Sequence, residues 1–190
     1  MYYHASPTPG IRVLEPRISN HGLPRIYFSD RRENVLVYLS NAVEKYCRET
    51  GFAYSGPWNK WAAYGFNRDG LLQVEEYYPN ATEETYRGVS GYIYCVETIA
   101  ASEDNIQIPH AFTTAEPTPV LGCEFVPDAY EALLAAEARG LIEITRYEKL
   151  AANAKFMEWN RRTIREEYEG AADHPEYRHF LRAKFGAILG

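Results

Sequence analysis

Cysteine is scarce in this chain, and its distribution excludes the two usual structural uses of the residue. Cys47, Cys95 and Cys123 are odd in number and far apart. A disulfide framework needs paired cysteines, and a structural zinc site needs closely spaced CxxC motifs. We therefore expect free thiols, a reducing compartment and no bound metal.

Long apolar runs are also missing. No segment of the 190-residue sequence reaches the roughly 18 apolar residues that a membrane span needs. The polar, aromatic start lacks the basic and apolar regions of a secretory signal. We expect a soluble, cytoplasmic protein without a membrane partner, in which the sequon at Asn80 is a chance occurrence.

The sequence has no excess of basic over acidic residues. The 20 Lys and Arg residues are outnumbered by 26 Asp and Glu residues, which gives a formal net charge of -6. General nucleic-acid binding requires a concentrated basic surface, so we expect none. Arg161, Arg162 and Arg165 cluster, but acidic residues follow at once, which is typical of a solvated helix face.

Several catalytic signatures are missing as well. The sequence has no GxSxG nucleophile elbow and no glycine-rich phosphate loop, because its glycines are scattered. His21, His110, His174 and His179 show no metal-ligand spacing with acids. These absences disfavour serine-hydrolase, phosphate-loop and zinc-enzyme chemistry.

Tyrosine, by contrast, is abundant. Sixteen Tyr and three Trp residues supply rings with polar tips. Such rings line clefts or partner surfaces, or sit in the core with the polar atom reaching its edge.

The amino-terminal part predicts two strands separated by a loop. Residues 1–5 suit a strand, the proline- and glycine-rich stretch 7–24 is mostly loop, and Arg25–Ser29 reads as a second strand. Asp30 and Glu33 have capping-box spacing, which predicts a helix from Asp30 to the stop at Gly51.

The middle of the chain predicts a sheet, and the end predicts helices. Strands are expected over 71–78, 91–99 and 119–126, the first two as antiparallel neighbours because residues 81–87 are too few for a long crossover helix. Asp128 starts a helix that Gly140 stops, and residues 142–146 are extended again. Two amphipathic helices follow residue 148, with a break at 170–175.

These patterns predict a single α+β domain. The chain length suits one hydrophobic core. We expect an α+β core over residues 1–147 and a helical extension over residues 148–190, packed on the same domain.

Two short segments carry the main functional signal. The first is Tyr-Tyr-His-Ala-Ser at residues 2–6, and the second is Arg-Ile-Tyr-Phe-Ser-Asp at residues 25–30, followed by a predicted helix that contains Tyr38. They resemble the first two signature segments of the His-Tyr-acid type of the ADP-ribosyltransferase superfamily. The resemblance implies a split antiparallel β-sheet around a cleft for NAD.

The resemblance extends to the third signature when rifampin ADP-ribosyltransferase-like proteins are the comparison. The matching stretches are residues 94–97, 102–105 and 119–122. The resemblance makes Asp104 the leading candidate for the third catalytic residue, with Glu103 beside it. Glu116 is the rival, because other branches place the acid just before a late strand.

The resemblance also implies a role for each residue. His4 orients a ribose of NAD, Tyr27 stacks on nicotinamide, and Asp104 or Glu116 stabilises the positive charge that develops on the sugar. The remaining cofactor contacts are Ala5, Ser6, Ser29 and Tyr38. NAD is then a substrate, no metal is needed, and the side chains of His4 and Tyr27 share one hollow.

Alternatives stay open. His4 taken alone reads more often as a strand histidine bonded to a carbonyl, and Tyr27 as a core tyrosine. A catalytically silent binding module of the same fold is the main rival to an active transferase. An RNA 2'-phosphotransferase relative is more distant, because His4, Arg12 and Arg25 offer only part of the basic cleft it needs. The acceptor of ADP-ribose, whether protein, nucleic acid or small molecule, is not indicated.

Overall fold

The chain forms two compact units in a computed structural model that describes residues 1–18, 22–55, 61–100 and 108–190. The sheet unit comprises Met1–Leu39, Gly65–Gln73 and Tyr86–Glu143. The helical unit comprises Ser40–Tyr64, Val74–Thr85 and Ile144–Gly190.

Antiparallel strands and separate helices confirm the α+β class. The strands in the described residues are β1 Tyr2–Ser6, β2 Val13–Leu14, β3 Arg17–Ile18, β4 Pro24–Ser29, β5 Ala62–Phe66, β6 Leu72–Glu76, β7 Gly91–Val96, β8 Ala111–Thr114, β9 Thr118–Pro119, β10 Gly122–Val126 and β11 Ile142–Thr145. The helices are α1 Ala42–Glu49, α2 Ala81–Tyr86, α3 Ala129–Ala138, α4 Tyr147–Ala151, α5 Ala154–Gly170 and α6 Pro175–Leu189, and a 3-10 helix spans Arg32–Tyr38.

The largest sheet has the strand order β10-β7-β1-β4-β3, with β8 paired to β4 as well. A second sheet has the order β11-β6-β5, and β2 pairs with β9. One face of the largest sheet covers an apolar cluster of Leu14, Ile26, Phe28, Tyr94 and Val96. Period-two alternation explains this, because Ile26 and Phe28 lie two residues apart on β4 and share a face.

The pairing expected between residues 71–78 and 91–99 is wrong. β6 and β7 lie in different sheets, and the connection between them forms the short helix α2. Glu76 at the end of β6 favours this helix, because its buried carboxylate accepts the Thr82 N–H at 3.0 Å. The same carboxylate accepts the Tyr147 N–H at 3.2 Å, so it satisfies the amino-terminal amides of two helices.

The capping box expected at Asp30 is also wrong. The segment starts as the 3-10 helix without a side-chain cap, and α1 begins separately with Asn41 as its cap, accepting from Val43 N and Glu44 N. Asp30 does not cap because its carboxylate lies 2.8 Å from Nδ1 of His110. The break between the two helices replaces the single helix that the sequence predicted.

The other local signals are confirmed. Asp128 caps α3 by accepting from Tyr130 N and Glu131 N, and Gly140 follows the helix with φ +69°. The extended segment after it is β11, and α5 and α6 are separated by residues 171–174.

Buried tyrosines of both units bond their hydroxyls. In the sheet unit, the Tyr86 hydroxyl donates to the Val37 carbonyl at 3.1 Å. In the helical unit, Trp61 Nε1 donates to the Tyr177 hydroxyl at 3.0 Å, which donates to Glu167 at 2.9 Å. These tyrosines stabilise cores, since a buried hydroxyl needs a partner.

In the described part of the chain, no helix has both the length and the apolar character needed to cross a bilayer.

Candidate functional site

The two edges of β4 are paired differently. On one edge, β8 pairs with β4 at every residue from Ile26 to Ser29. The Asp30 N–H extends this ladder by donating to the His110 carbonyl at 3.4 Å. Main-chain groups alternate in direction along an antiparallel strand. Tyr27 and Ser29 therefore direct their N–H and C=O groups to the opposite edge.

On that opposite edge the ladder is interrupted. Among the described residues, β1 meets β4 at the single pair Tyr3–Ser29. β3 meets β4 at Arg17–Arg25 and Ile18–Pro24. The interval on this edge between the Tyr3–Ser29 and Arg17–Arg25 pairs is called the Tyr27 gap below.

The side chain of His4 reaches into the Tyr27 gap. Its Nδ1 lies 2.9 Å from the main-chain oxygen of Tyr27. A carbonyl oxygen only accepts, so Nδ1 carries the proton of this bond. The imidazole replaces the main-chain donor that a continued ladder would supply.

The electrostatic environment keeps His4 neutral. Burial lowers the pKa of His4 below its ordinary value of 6.5; the hydrogen bond to Tyr27 opposes this shift, and the nearby positive charge of Arg17 adds to it. At pH 7 the ring therefore has one N–H, on Nδ1, and Nε2 is an acceptor. In the residues that the structure describes, none is bonded to Nε2.

The side chains of His4 and Tyr27 lie on opposite faces of the β1–β4 pair. Residues that pair directly share a face, and faces alternate along each strand. Tyr27 therefore lies on the face of Tyr3 and Ser29, and His4 on the other face, where its ring centroid is 5.9 Å from that of Phe28. The prediction that these two side chains share one hollow is therefore wrong, because the register of β1 and β4 places them on different faces. A ligand that touches both rings would have to lie between the two strands.

The main chain of Ala5 also faces the gap. Ala5 lies two residues beyond Tyr3, so its N–H and C=O point to the β4 edge as those of Tyr3 do. Its side chain is buried. Ser6 is engaged locally, because its Oγ accepts the Thr8 N–H at 3.2 Å.

Tyr94 fixes the loop that follows β1, a role that the sequence reading missed. Its buried hydroxyl donates to the Thr8 carbonyl at 2.7 Å and accepts the Ile11 N–H at 3.2 Å. Tyr94 pairs with His4 across β1 and β7, so both side chains lie on the same face. The only sequence signal was an aromatic residue in a strand, which does not identify its partner.

Ser29 precedes the 3-10 helix, and Tyr38 is its last residue. Ser29 is buried, and its Oγ accepts the Arg31 N–H at 3.1 Å, which starts the turn into that helix. Tyr38 ends the helix and is 41 % exposed. The structure therefore uses Ser29 for the turn and leaves much of the Tyr38 ring accessible.

Of the three candidate acids, the structure describes only Glu116, and it does not place that residue at the gap. Asp104 and Glu103 lie outside the described residues. Glu116 is exposed in the turn between β8 and β9, where its main chain bonds Thr114 and Thr118. The Glu116 carboxylate contacts neither His4 nor Tyr27 in the described structure.

Over the described ranges, no three His, Cys, Asp or Glu side chains are grouped closely enough to hold a metal ion. A shallow concavity of the helical unit lies along α5 and is lined mostly by exposed charged residues, among them Arg162, whose Nε is 3.8 Å from Glu166. The lining of this concavity does not include the residues of the Tyr27 gap.

Comparison of the chain with protein-family models, curated proteins and solved structures found no match. Function therefore rests on the sequence resemblance and on the geometry of the Tyr27 gap.

Proposed function

We propose that this chain is an ADP-ribosyltransferase-like protein that binds NAD in the Tyr27 gap and transfers its ADP-ribose to an acceptor. The observation that carries the proposal is the bond from His4 Nδ1 to the Tyr27 carbonyl, where β1 and β4 part. This bond joins the two residues of the sequence resemblance at an interruption in the sheet. A split sheet is the fold that the resemblance implies.

His4 suits a ribose because of its tautomer. With the proton on Nδ1, the Nε2 lone pair accepts a hydrogen bond from a sugar hydroxyl. A neutral imidazole also adds no positive charge next to a sugar that becomes positive as the bond to nicotinamide breaks. Both properties favour holding a ribose in the geometry for cleavage.

The main chain of Ala5 suits the nicotinamide carboxamide. A carboxamide has a donor and an acceptor side by side, as a strand edge has. Ala5 directs its N–H and C=O to the β4 edge, and we assign the amide to these groups. Because Ala5 is buried, a ligand reaches these groups only from within the gap.

Two tyrosines are available for the nicotinamide ring. Tyr27 projects from the strand that borders the gap, and Tyr38 is partly exposed at the end of the helical segment that follows. Aromatic rings favour offset-stacked or edge-to-face contacts with a planar ligand. We assign Tyr27, with Tyr38 as the second ring, to this contact.

The transfer step needs one acid. The bond between ribose C1′ and the nicotinamide nitrogen breaks, and its electron pair goes to nicotinamide. A nucleophile of the acceptor bonds to C1′ and gives its proton to a base. We assign to Asp104 the stabilisation of the positive sugar and the uptake of this proton, because Glu116 lies in the exposed turn between β8 and β9.

Titration calorimetry with NAD, combined with an assay for released nicotinamide, tests the proposal. Wild-type protein and the control variant His174→Gln, which changes an exposed histidine of the helical unit, should bind NAD and release nicotinamide. The variant His4→Gln should release nicotinamide far more slowly than the wild type. Binding without release would favour the catalytically silent module, and absence of binding would contradict both.

A further inference from the structure

Strand β10 lies at one edge of the largest sheet. It pairs with β7 from Gly122 to Val126, and among the described residues no strand pairs with its outer edge. Main-chain groups alternate in direction along an antiparallel strand, so every second residue of β10 directs its N–H and C=O away from β7. In the described parts of the chain, no main-chain hydrogen bond reaches this outer edge. Such a row of groups is a template for another strand.

The side chains of β10 do not protect this edge. Sheet edges are commonly blunted by lysine, by proline or by a charge that points into the pairing region. The three residues 123–125 include neither Lys nor Pro, and all three are exposed. Phe125 is 53 % exposed even though its ring centroid lies 5.3 Å from that of Tyr92. The edge therefore has the properties that favour addition of a strand.

The charge of Glu124 is neutralised within the chain. Glu124 pairs with Ile93, so it lies on the face opposite to that of Cys123 and Phe125. Its two carboxylate oxygens accept from the Arg32 guanidinium, one from Nε at 2.8 Å and the other from Nη2 at 2.5 Å. A carboxylate held in this bidentate geometry is directed to its own chain and does not repel an added strand.

We propose that β10 pairs with β10 of a second copy of this chain, antiparallel and about a two-fold axis at Cys123. A two-fold interface uses the same surface on both copies, so the residue at the axis meets itself. With the axis at Cys123, Glu124 of each copy lies opposite Gly122 of the other, which has no side chain. The exposed Phe125 then lies diagonally across from Cys123 of the second copy, within reach of an aromatic ring.

Other positions of the axis are less favourable. An axis at Glu124 would place two carboxylates directly opposite each other, which is destabilising. An axis at Gly122 would place Glu124 opposite Val120, whose N–H already donates to the Arg12 carbonyl at 2.9 Å. An axis closer to the end of β10 would bring in Pro127, which has no N–H for the ladder. Charge and main-chain pairing thus select the axis at Cys123.

The Tyr27 gap lies outside this interface. In the strand order of the sheet, β7 and β1 separate β10 from the gap. The pairing would join the largest sheets of two copies into one continuous sheet without closing the gap. The inference is therefore independent of the proposed function, and its test requires no ligand.

Sedimentation equilibrium at about 0.1 mM protein, a concentration suited to a small interface, tests the proposal. Wild type and Cys123→Ser should both be dimers. Cys123→Lys and Cys123→Glu should each raise the dissociation constant of the dimer about tenfold or more, because like charges then meet at the axis. The matched control Ile18→Lys, at an exposed residue of the edge strand β3, should remain a dimer.

A mixture of the two charged variants separates an interface effect from a folding defect. In an equimolar mixture of Cys123→Lys and Cys123→Glu, lysine meets glutamate at the axis, so dimers should form that neither variant forms alone. Circular dichroism of each variant verifies that the fold is retained.

Cross-linking measures the position of the axis. Residues directly opposite in an antiparallel pair have Cβ atoms about 4.5–5.5 Å apart, so a short bismaleimide should join the two Cys123 thiols. Cys95→Ser should retain the cross-linked dimer, and Cys123→Ser should lose it. Cys47 is buried and should not react.

Each contrary result would overturn the proposal. A wild type that stays monomeric at about 0.1 mM would do so, whether the edge then binds a different protein or none. A dimer that persists in Cys123→Lys, or that is lost in Ile18→Lys, would place the interface elsewhere. A mixture of the charged variants that stays monomeric would contradict an axis at Cys123.

Discussion

The two edges of β4 differ in how they are paired. The β8 edge has a continuous ladder from Ile26 to Ser29, and the residues Ile26 and Phe28 bury their side chains in the apolar cluster. The opposite edge is paired with other strands at its ends, and between these pairs the side chain of His4 bonds the Tyr27 carbonyl. Continuous pairing holds the strand in place, and the interruption leaves polar groups facing a gap.

His4 is what allows the second edge to remain open. A buried carbonyl without a partner costs about 1–3 kcal/mol. The His4 imidazole supplies a partner to the Tyr27 carbonyl without closing the gap with another strand. Nδ1 of His4 thus bonds the Tyr27 carbonyl, and Nε2 remains as an acceptor for the proposed ligand.

The largest expected effect is on the closed edge. Phe28→Ala should lower the free energy of unfolding by about 3–5 kcal/mol, because it leaves a cavity in the apolar cluster. Urea denaturation measures this. Leu121→Ala, at a residue 62 % exposed, is the control and should change stability by less than about 0.5 kcal/mol. A loss below about 1 kcal/mol for Phe28→Ala would show that the closed edge is not the stabilising one.

The next effect concerns the open edge. His4→Ala should slow nicotinamide release about 100-fold, because a preorganised contact to the ribose is removed. It should also lower the free energy of unfolding by about 1–3 kcal/mol, since the Tyr27 carbonyl loses its donor. Rate assays and urea denaturation on one preparation give both values. A release rate within threefold of wild type would remove His4 from the proposed site.

A pH series sharpens the same comparison. The pKa of His4 is lowered in the folded protein, so on acidification the unfolded chain takes up a proton before the folded protein does. Stability should therefore be insensitive to His4 above the ordinary value of 6.5 and should fall as the pH drops below it towards the folded pKa. NAD affinity should fall only as the pH reaches and passes below the lowered pKa of His4 in the folded protein, because a protonated Nε2 cannot accept a hydrogen bond.

The difference between wild type and His4→Gln, measured from pH 5 to pH 8, isolates this contribution. His174→Gln serves as the matched control, because that residue lies in the helical unit. NAD affinity that rises on acidification below 6.5 would contradict the neutral acceptor.

The smallest effect is expected at the end of the closed edge. Asp30→Ala removes the contact with His110. The side chain of Asp30 is 41 % exposed, and that of His110 is 26 % exposed. Exposed ion pairs contribute about 0.2–1 kcal/mol, so the free energy of unfolding should fall by less than about 1 kcal/mol. A loss above about 2 kcal/mol would mean that this contact, and not the ladder, closes the edge.

Local features of the fold were predictable from sequence. The Asp128 cap, the Gly140 stop and the two late helices each depend on residues within a few positions of one another. Such signals act through capping and backbone conformation, which the sequence displays directly.

Features that depend on distant partners were not predictable. Asp30 has the spacing of a cap but contacts His110, 80 residues away. The opposite faces of His4 and Tyr27 follow from a register in which Tyr3 meets Ser29, and one residue of offset reverses a face. Arg17 lay in a stretch expected to be mostly loop, although the turn former Gly22–Pro24 before Arg25 was a signal for a hairpin.

A structure determined with bound NAD tests the central claim most directly. The account predicts the ligand between β1 and β4, with a ribose hydroxyl about 3 Å from Nε2 of His4 and the carboxamide at the main chain of Ala5. A ligand bound elsewhere, with the bond between His4 and Tyr27 unchanged and Nε2 without contact to it, would contradict the account.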